Sequence, residues 1–357
     1  MLERPWGVGA ATGVGSLPGS DPDEAMRIVV GELEGFPHLA ELPNAGPSSG
    51  MIGRAAALLV DLHTELAVSG WRFCARAGAD ERRARAASSR GLDVFEEHLQ
   101  GFSGPVKLQC AGPWSLAASI ELRYGDKALA DSGAVRDISA ALAEGVTGLV
   151  ADVRRRLPGA QVVMQIDEPL LPAVLTGTVP TASGFSMLRA VEFLDAVEKL
   201  GQVATAISTA GAIPIAHCCA ASVPVALFVD AGMQALSFDA RVLDETGSAL
   251  DDALGEAVEA GVALFMGLVP SIEPDDAKPR RAHEVADPAR ALWSRLGFEP
   301  ERLGADVVVT PTCGLAGASA MWPVRAYRLC VDAARVLVED PTPVANGPAN
   351  KPEQGAR

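Results

Sequence analysis

The chain has 357 residues, 48% of them hydrophobic, and a formal net charge of −15, with no basic cluster longer than the RRAR and RRR patches at 82–85 and 154–156. A surface this acidic has no electrostatic grip on nucleic acid or an anionic membrane, so the Arg runs read as solvated helix faces. The first residues hold no apolar stretch of signal-peptide length and no run of about 18 apolar residues occurs, which predicts a soluble cytoplasmic protein.

Six irregularly spaced Cys, including the adjacent Cys218 and Cys219, read as reduced thiols rather than a disulfide framework. Short apolar runs rich in β-branched residues recur along the chain, at 10–15, 38–43, 104–110, 160–167, 212–219, 233–240, 261–270 and 305–312. Helical spacing fills the intervals at 22–34, at 132–156, 186–210, 247–260 and 284–297, and again after the last run at 319–338. A long helical pair is expected over about 50–100, as an insertion between the second and third strands. Strands apolar on both faces, alternating with helices, predict a parallel sheet covered by helices, and eight such units predict a (β/α)8 TIM barrel. The expected organisation is one catalytic barrel over 1–340 and a disordered tail over 341–357, where apolar periodicity stops.

In such a barrel, chemistry gathers at the C-terminal ends of the strands. The polar residues there are Ser16 after the first strand, Glu41 after the second, Asp167 and Glu168 after the fourth, His217 and Cys219 after the fifth, Asp239 after the sixth and Cys313 after the eighth. One imidazole, two thiolates and a carboxylate form a donor set suited to Zn2+, which accepts N, S and O ligands. The alternative is that His217 and the two Cys are core residues, since Cys is often buried and no C-x-x-C pair is present.

The order V-G-S at 14–16, E-L-P at 41–43, Q-I-D-E-P at 165–169, H-x-C at 217–219, an acid at 239 and P-x-C-G-L at 311–315 resembles the C-terminal catalytic barrel of cobalamin-independent methionine synthase, in its short single-barrel branch. The resemblance implies that His217, Cys219, Asp239 and Cys313 ligate zinc. It also implies that Ser16, Glu41 and Asp167 hold the head group of homocysteine. Anionic Glu41 and Asp167 suit an ammonium, and the Ser16 hydroxyl or the N–H groups of 14–16 suit a carboxylate. Only a thiolate is nucleophilic, and a coordinating thiol is deprotonated by its metal. The implied reaction is methyl transfer to zinc-bound homocysteine, giving methionine, with 5-methyltetrahydrofolate or a methylcorrinoid protein as donor.

Three departures from that family mark this chain. Asp239 stands where Glu is usual, and Cys218 lies between two expected ligands, facing the opposite side if the pleat persists. The folate-using members carry a His after the seventh strand and an aromatic after the third; here the seventh leads into GLVPSIEP, and Ala111 precedes Trp114. Two rival functions are a zinc methyltransferase acting on another thiol and a non-catalytic zinc-containing barrel that binds an amino acid. GVGSLPG at 13–19 lacks dinucleotide-loop spacing. His38, His63, His98 and His283 read as surface or packing residues, and Cys74, Cys110 and Cys330 as buried thiols.

Overall fold

The computed structural model describes residues 4–123, 125–245, 248–274 and 280–342. His63–Ala67 (β1) and Gly70–Cys74 (β2) form an antiparallel hairpin. Six further strands form one parallel sheet in chain order: Gly104–Ala111 (β3), Ala160–Asp167 (β4), Ile213–His217 (β5), Ala235–Asp239 (β6), Ala263–Val269 (β7) and Val307–Pro311 (β8). Parallel neighbours need crossovers, and helices supply them, among them Ser132–Arg156, Phe193–Thr209, Ser248–Glu259 and Ala282–Leu296, with Trp322–Glu339 after β8. The longest starts where Asp131 accepts hydrogen bonds from the N–H groups of Gly133 and Ala134, satisfying two otherwise orphaned donors.

Six of the eight expected strands are therefore formed. The first two are reduced to isolated parallel bridges: Ala11 with Val309 of β8, His38 with Lys107 of β3, and Ser16 with Glu41. These bridges join the two edges of the curled sheet. The two segments approach closely at Gly13, where a Cβ would overlap the His38 imidazole. The insertion also differs from the expected helical pair: a short helix, Met51–Ala56, and a long one, Ala79–His98, flank the β1–β2 hairpin. Alternation in HTELA and GWRFC carries one buried residue in each strand, Thr64 and Trp71. After β4, the main helix begins at Phe193 rather than 186. The expected tail falls almost wholly on 343–357, outside the described residues.

The sheet has two buried faces. One packs on the helices and holds Val106, Leu108, Cys110, Met164 and Ile166 in the large core. The other encloses a smaller apolar cluster of Trp6, Phe36, Val163, Ile215, Phe265 and Val308. Trp6 stacks on Phe36 at 5.9 Å and meets Phe265 edge-on at 5.1 Å. Farther along the same strands, the inner face turns polar. Lys107 and Gln109 on β3, Gln165 on β4 and Ser237 on β6 are all buried, and the strand-end residues Asp167, His217 and Asp239 follow. No helix among the described residues is long and apolar enough to cross a membrane.

Candidate metal centre

Register places the functional side chains in a row. Asp167, the last residue of β4, pairs with His217, the last of β5, which pairs with Ser237 of β6. Cys219 follows two residues after β5, and Cys313 two after β8. The ligand atoms of His217, Cys219 and Cys313 all lie within 4.8 Å of one another, the one such metal-competent group among the described residues. The two sulfurs are 3.4 Å apart, near the edge of about 3.7 Å expected of two thiolates on one tetrahedral zinc.

His217 supplies the test of fit. Its Nδ1 lies 2.9 Å from Ser237 Oγ, while its buried Nε2 has no hydrogen-bond partner. With the proton on Nδ1 donated to Ser237, Nε2 presents a bare lone pair, the arrangement in which imidazoles bind metals. A buried nitrogen of this kind is costly unless something fills its coordination. The sulfurs are also prepared. The two sulfurs share a hydrogen bond at 3.4 Å, a contact that holds the Cys313 thiol down and, with burial, pushes Cys219 up. The residues fit a divalent metal.

Asp239 stands apart from this group. Its carboxylate accepts from the Arg241 guanidinium at 2.9 Å and from the Arg241 N–H at 2.9 Å, so the structure does not bring it together with the other three expected ligands. Cys218 does face away, buried in the sheet–helix core, where burial pushes its thiol up to about 12.

The other expected cluster also meets at the rim. The backbones of Ser16 and Glu41 are bridged, Leu17 N–H donating to Glu41 O at 2.8 Å. Ser16 O accepts from Leu315 N–H at 2.7 Å, and a Cβ on Gly314 would overlap the Ser16 hydroxyl, so the absence of a side chain there seats Ser16 beside the Cys313 loop. Glu41 pairs with Arg54 at 2.8 Å. Asp167 accepts from Gln165 Nε2 at 2.7 Å. Burial, reinforced by the negative charge of Glu41 and opposed by His217 and Lys107, pushes the Asp167 carboxyl up to about 7. Glu168 plays a different part: it accepts from Trp114 N–H, Ser115 N–H and Ser115 Oγ, at 2.9, 2.7 and 2.7 Å, and anchors the helix Pro113–Ser119.

Sequence reasoning passed over Lys107, Gln109, Gln165, Ser237, Arg54 and Arg241. Four of them carried a readable signal: polar residues at alternate positions of otherwise apolar strands, two or four places before the strand end. The remaining imidazoles are engaged elsewhere: His38 with Tyr327 at 2.8 Å, His63 with Glu81 at 3.1 Å, His98 with Asp23 at 2.8 Å, and His283 near Asp340 at 3.7 Å. Trp114 is buried, its indole N–H donating to Ala196 O at 3.1 Å.

Comparison with solved structures finds a B12-independent methionine synthase from Shewanella sp. W3-18-1 in complex with selenomethionine. It is 11% identical, with 93% of this chain and 98% of that chain covered and a TM-score of 0.54, a likeness of fold. A 3-keto-D-glucoside 4-epimerase from E. coli is 9% identical over 69% of this chain and 85% of that chain, with a TM-score of 0.40, too low to carry an argument. No curated protein sequence matches. The family model described as the catalytic domain of cobalamin-independent synthase matches residues 100–336, a span containing Asp167, His217, Cys219, Asp239 and Cys313. This chain belongs to the cobalamin-independent synthase catalytic-domain family.

Proposed function

We propose that the protein is a zinc-dependent methyltransferase that moves a methyl group onto the thiol of homocysteine, giving methionine, within a closed eight-membered barrel. The observation that carries this reading is the unpartnered His217 Nε2 facing two thiols on the same rim as Ser16, Glu41 and Asp167. His217, Cys219 and Cys313 would hold the ion, and Asp239 could join them only by giving up Arg241. When bound, zinc supplies Lewis acidity that keeps a thiol deprotonated at neutral pH. Glu41 and Asp167 receive the amino acid's ammonium, and Ser16 with the N–H groups of 14–16 receives its carboxylate. Held at both ends, the substrate presents its sulfur at the metal corner, where an electron pair on sulfur forms the new C–S bond as the donor–methyl bond breaks towards the donor.

The donor chemistry follows from which groups can move a proton. Departure from the tertiary amine of methyltetrahydrofolate requires protonation of that nitrogen, whereas departure from a cobalt corrin does not. The four other imidazoles are engaged away from the metal corner, and Trp114 is buried rather than offered for stacking. These observations favour a methylcorrinoid, carried by a protein partner; methyltetrahydrofolate would need another group to protonate its nitrogen, and the Asp167 carboxyl, pushed up to about 7, stands at this rim. Assay of the purified protein with each donor, with zinc measured by elemental analysis, tests the reading. Methionine formed from the methylcorrinoid alone supports it, efficient turnover with the folate refutes the donor assignment, and a metal-loaded protein inert with both donors refutes the enzymatic reading. Calorimetry with homocysteine against a thiol lacking the amino-acid head separates this substrate from another thiol.

A further inference from the structure

Beneath the rim, a buried lysine stands at the centre of a hydrogen-bonded layer. Lys107 is fully buried, and its ammonium donates to Val14 O at 2.8 Å, Gln165 Oε1 at 2.9 Å and Gln109 Oε1 at 3.1 Å, so three N–H bonds meet three acceptors. An amide side chain can present either end to a neighbour, whereas an ammonium can only donate. Lys107 therefore decides which end of each glutamine faces it. In Gln165 the Nε2 group is turned the other way, donating to Asp167 Oδ1 at 2.7 Å and to Val14 O at 3.0 Å, both acceptors. With the amide reversed, its oxygen would face a carboxylate and a carbonyl, and the contact would be repulsive.

We propose that Lys107 is a positioning residue for the amino-acid substrate: by locking the Gln165 amide it holds the Asp167 carboxylate in place to receive the ammonium. The proposal rests on the role assigned above to Asp167. None of the hydrogen bonds of Lys107 goes to His217, Cys219 or Cys313, so its effect is expected on binding of the head group. Gln109, oriented by the same ammonium, donates from Nε2 to Leu39 O at 2.7 Å and ties the layer to the segment that carries Glu41.

The test is calorimetry on the full, metal-loaded chain with homocysteine and with mercaptoethanol, which has the thiol without the head group. Lys107→Met is expected to weaken homocysteine by about tenfold to a hundredfold, the range of one charge-assisted hydrogen bond, with mercaptoethanol binding and zinc content unchanged. Turnover at saturating homocysteine is retained, so the loss appears in KM rather than kcat. Asp167→Asn gives the same pattern, and the double variant is no worse than Asp167→Asn alone, because Lys107 acts through Asp167. Additive losses, or an unaffected Lys107→Met beside a weakened Asp167→Asn, overturn the positioning role and leave the pocket standing. An unaffected Asp167→Asn overturns both. Where Lys107→Met does not fold, Gln165→Leu breaks the chain at its middle link, and full-strength homocysteine binding by that variant overturns the proposal equally.

Discussion

At the metal corner His217, Cys219 and Cys313 converge with a buried nitrogen unpartnered and two sulfurs sharing a proton, whereas at the amino-acid corner Glu41 and Asp167 already hold Arg54 and Gln165. The first corner presents donors that suit a cation. The second is satisfied without a ligand, so a substrate must displace or join existing partners. The two corners should therefore fail in separable ways, one through metal content and the other through head-group affinity.

The largest effect is expected at the first. Cys313→Ser should remove most bound zinc, seen by elemental analysis, and lower methyl transfer by more than about a hundredfold, since losing a ligand exceeds the usual cost of losing a ligand's supporting partner. Asp167→Asn, with the metal retained, should weaken homocysteine by about tenfold to a hundredfold in calorimetry. A variant that also shed zinc would blur the separation. Ser237→Ala removes the hydroxyl beside His217 Nδ1 and should weaken zinc by about tenfold in a chelator competition, leaving the zinc-loaded protein's homocysteine affinity unchanged. A smaller effect is expected of Arg241→Ala, which frees the Asp239 carboxylate: zinc should tighten by a few-fold, about 1 kcal/mol or less for so exposed a guanidinium, and Asp239→Asn in the same background should abolish the gain.

The last effect is on stability. His38 buttresses the amino-acid corner at Gly13, and burial, with Lys107 nearby, lowers its imidazole from 6.5 to about 3. Below pH 6.5 the unfolded chain takes up a proton that the folded chain refuses, so this contribution to stability is full above 6.5 and is lost as pH falls towards 3. Urea melts of His38→Gln should show a shallower decline across that window than the parent.

Sequence pattern located most of this. Runs of β-branched residues marked β3 to β8, and the strand-end rule pointed to His217, Cys219 and Cys313, whose side chains the fold brings within 4.8 Å of one another because each is carried at the end of its own strand. Asp239 shows the limit: its position was legible, but its partner Arg241 depends on side-chain geometry that spacing does not encode. Segments 10–15 and 38–43 carried strand-like composition yet form only isolated bridges, and they approach closely where Gly13 meets His38, a contact that propensity does not encode. The β1–β2 hairpin was hidden in a stretch whose Ala and Arg content reads as helix. Lys107 was visible as a charge inside an apolar strand, and its meaning came only with the two glutamines around it.

The seat that Gly314 gives Ser16 also bears on how the molecule is made. Cys313 lies 94 residues beyond Cys219, and Ser16 is translated far ahead of both. On a ribosome His217 and Cys219 emerge with no third ligand to share a cation. The segment carrying Ser16 must then wait, its hydroxyl unseated, until the β8 loop arrives. Such distant closure is entropically slow. Nascent chains halted before Gly314 should accordingly neither retain zinc nor resist protease, and both properties should appear together in a single late step.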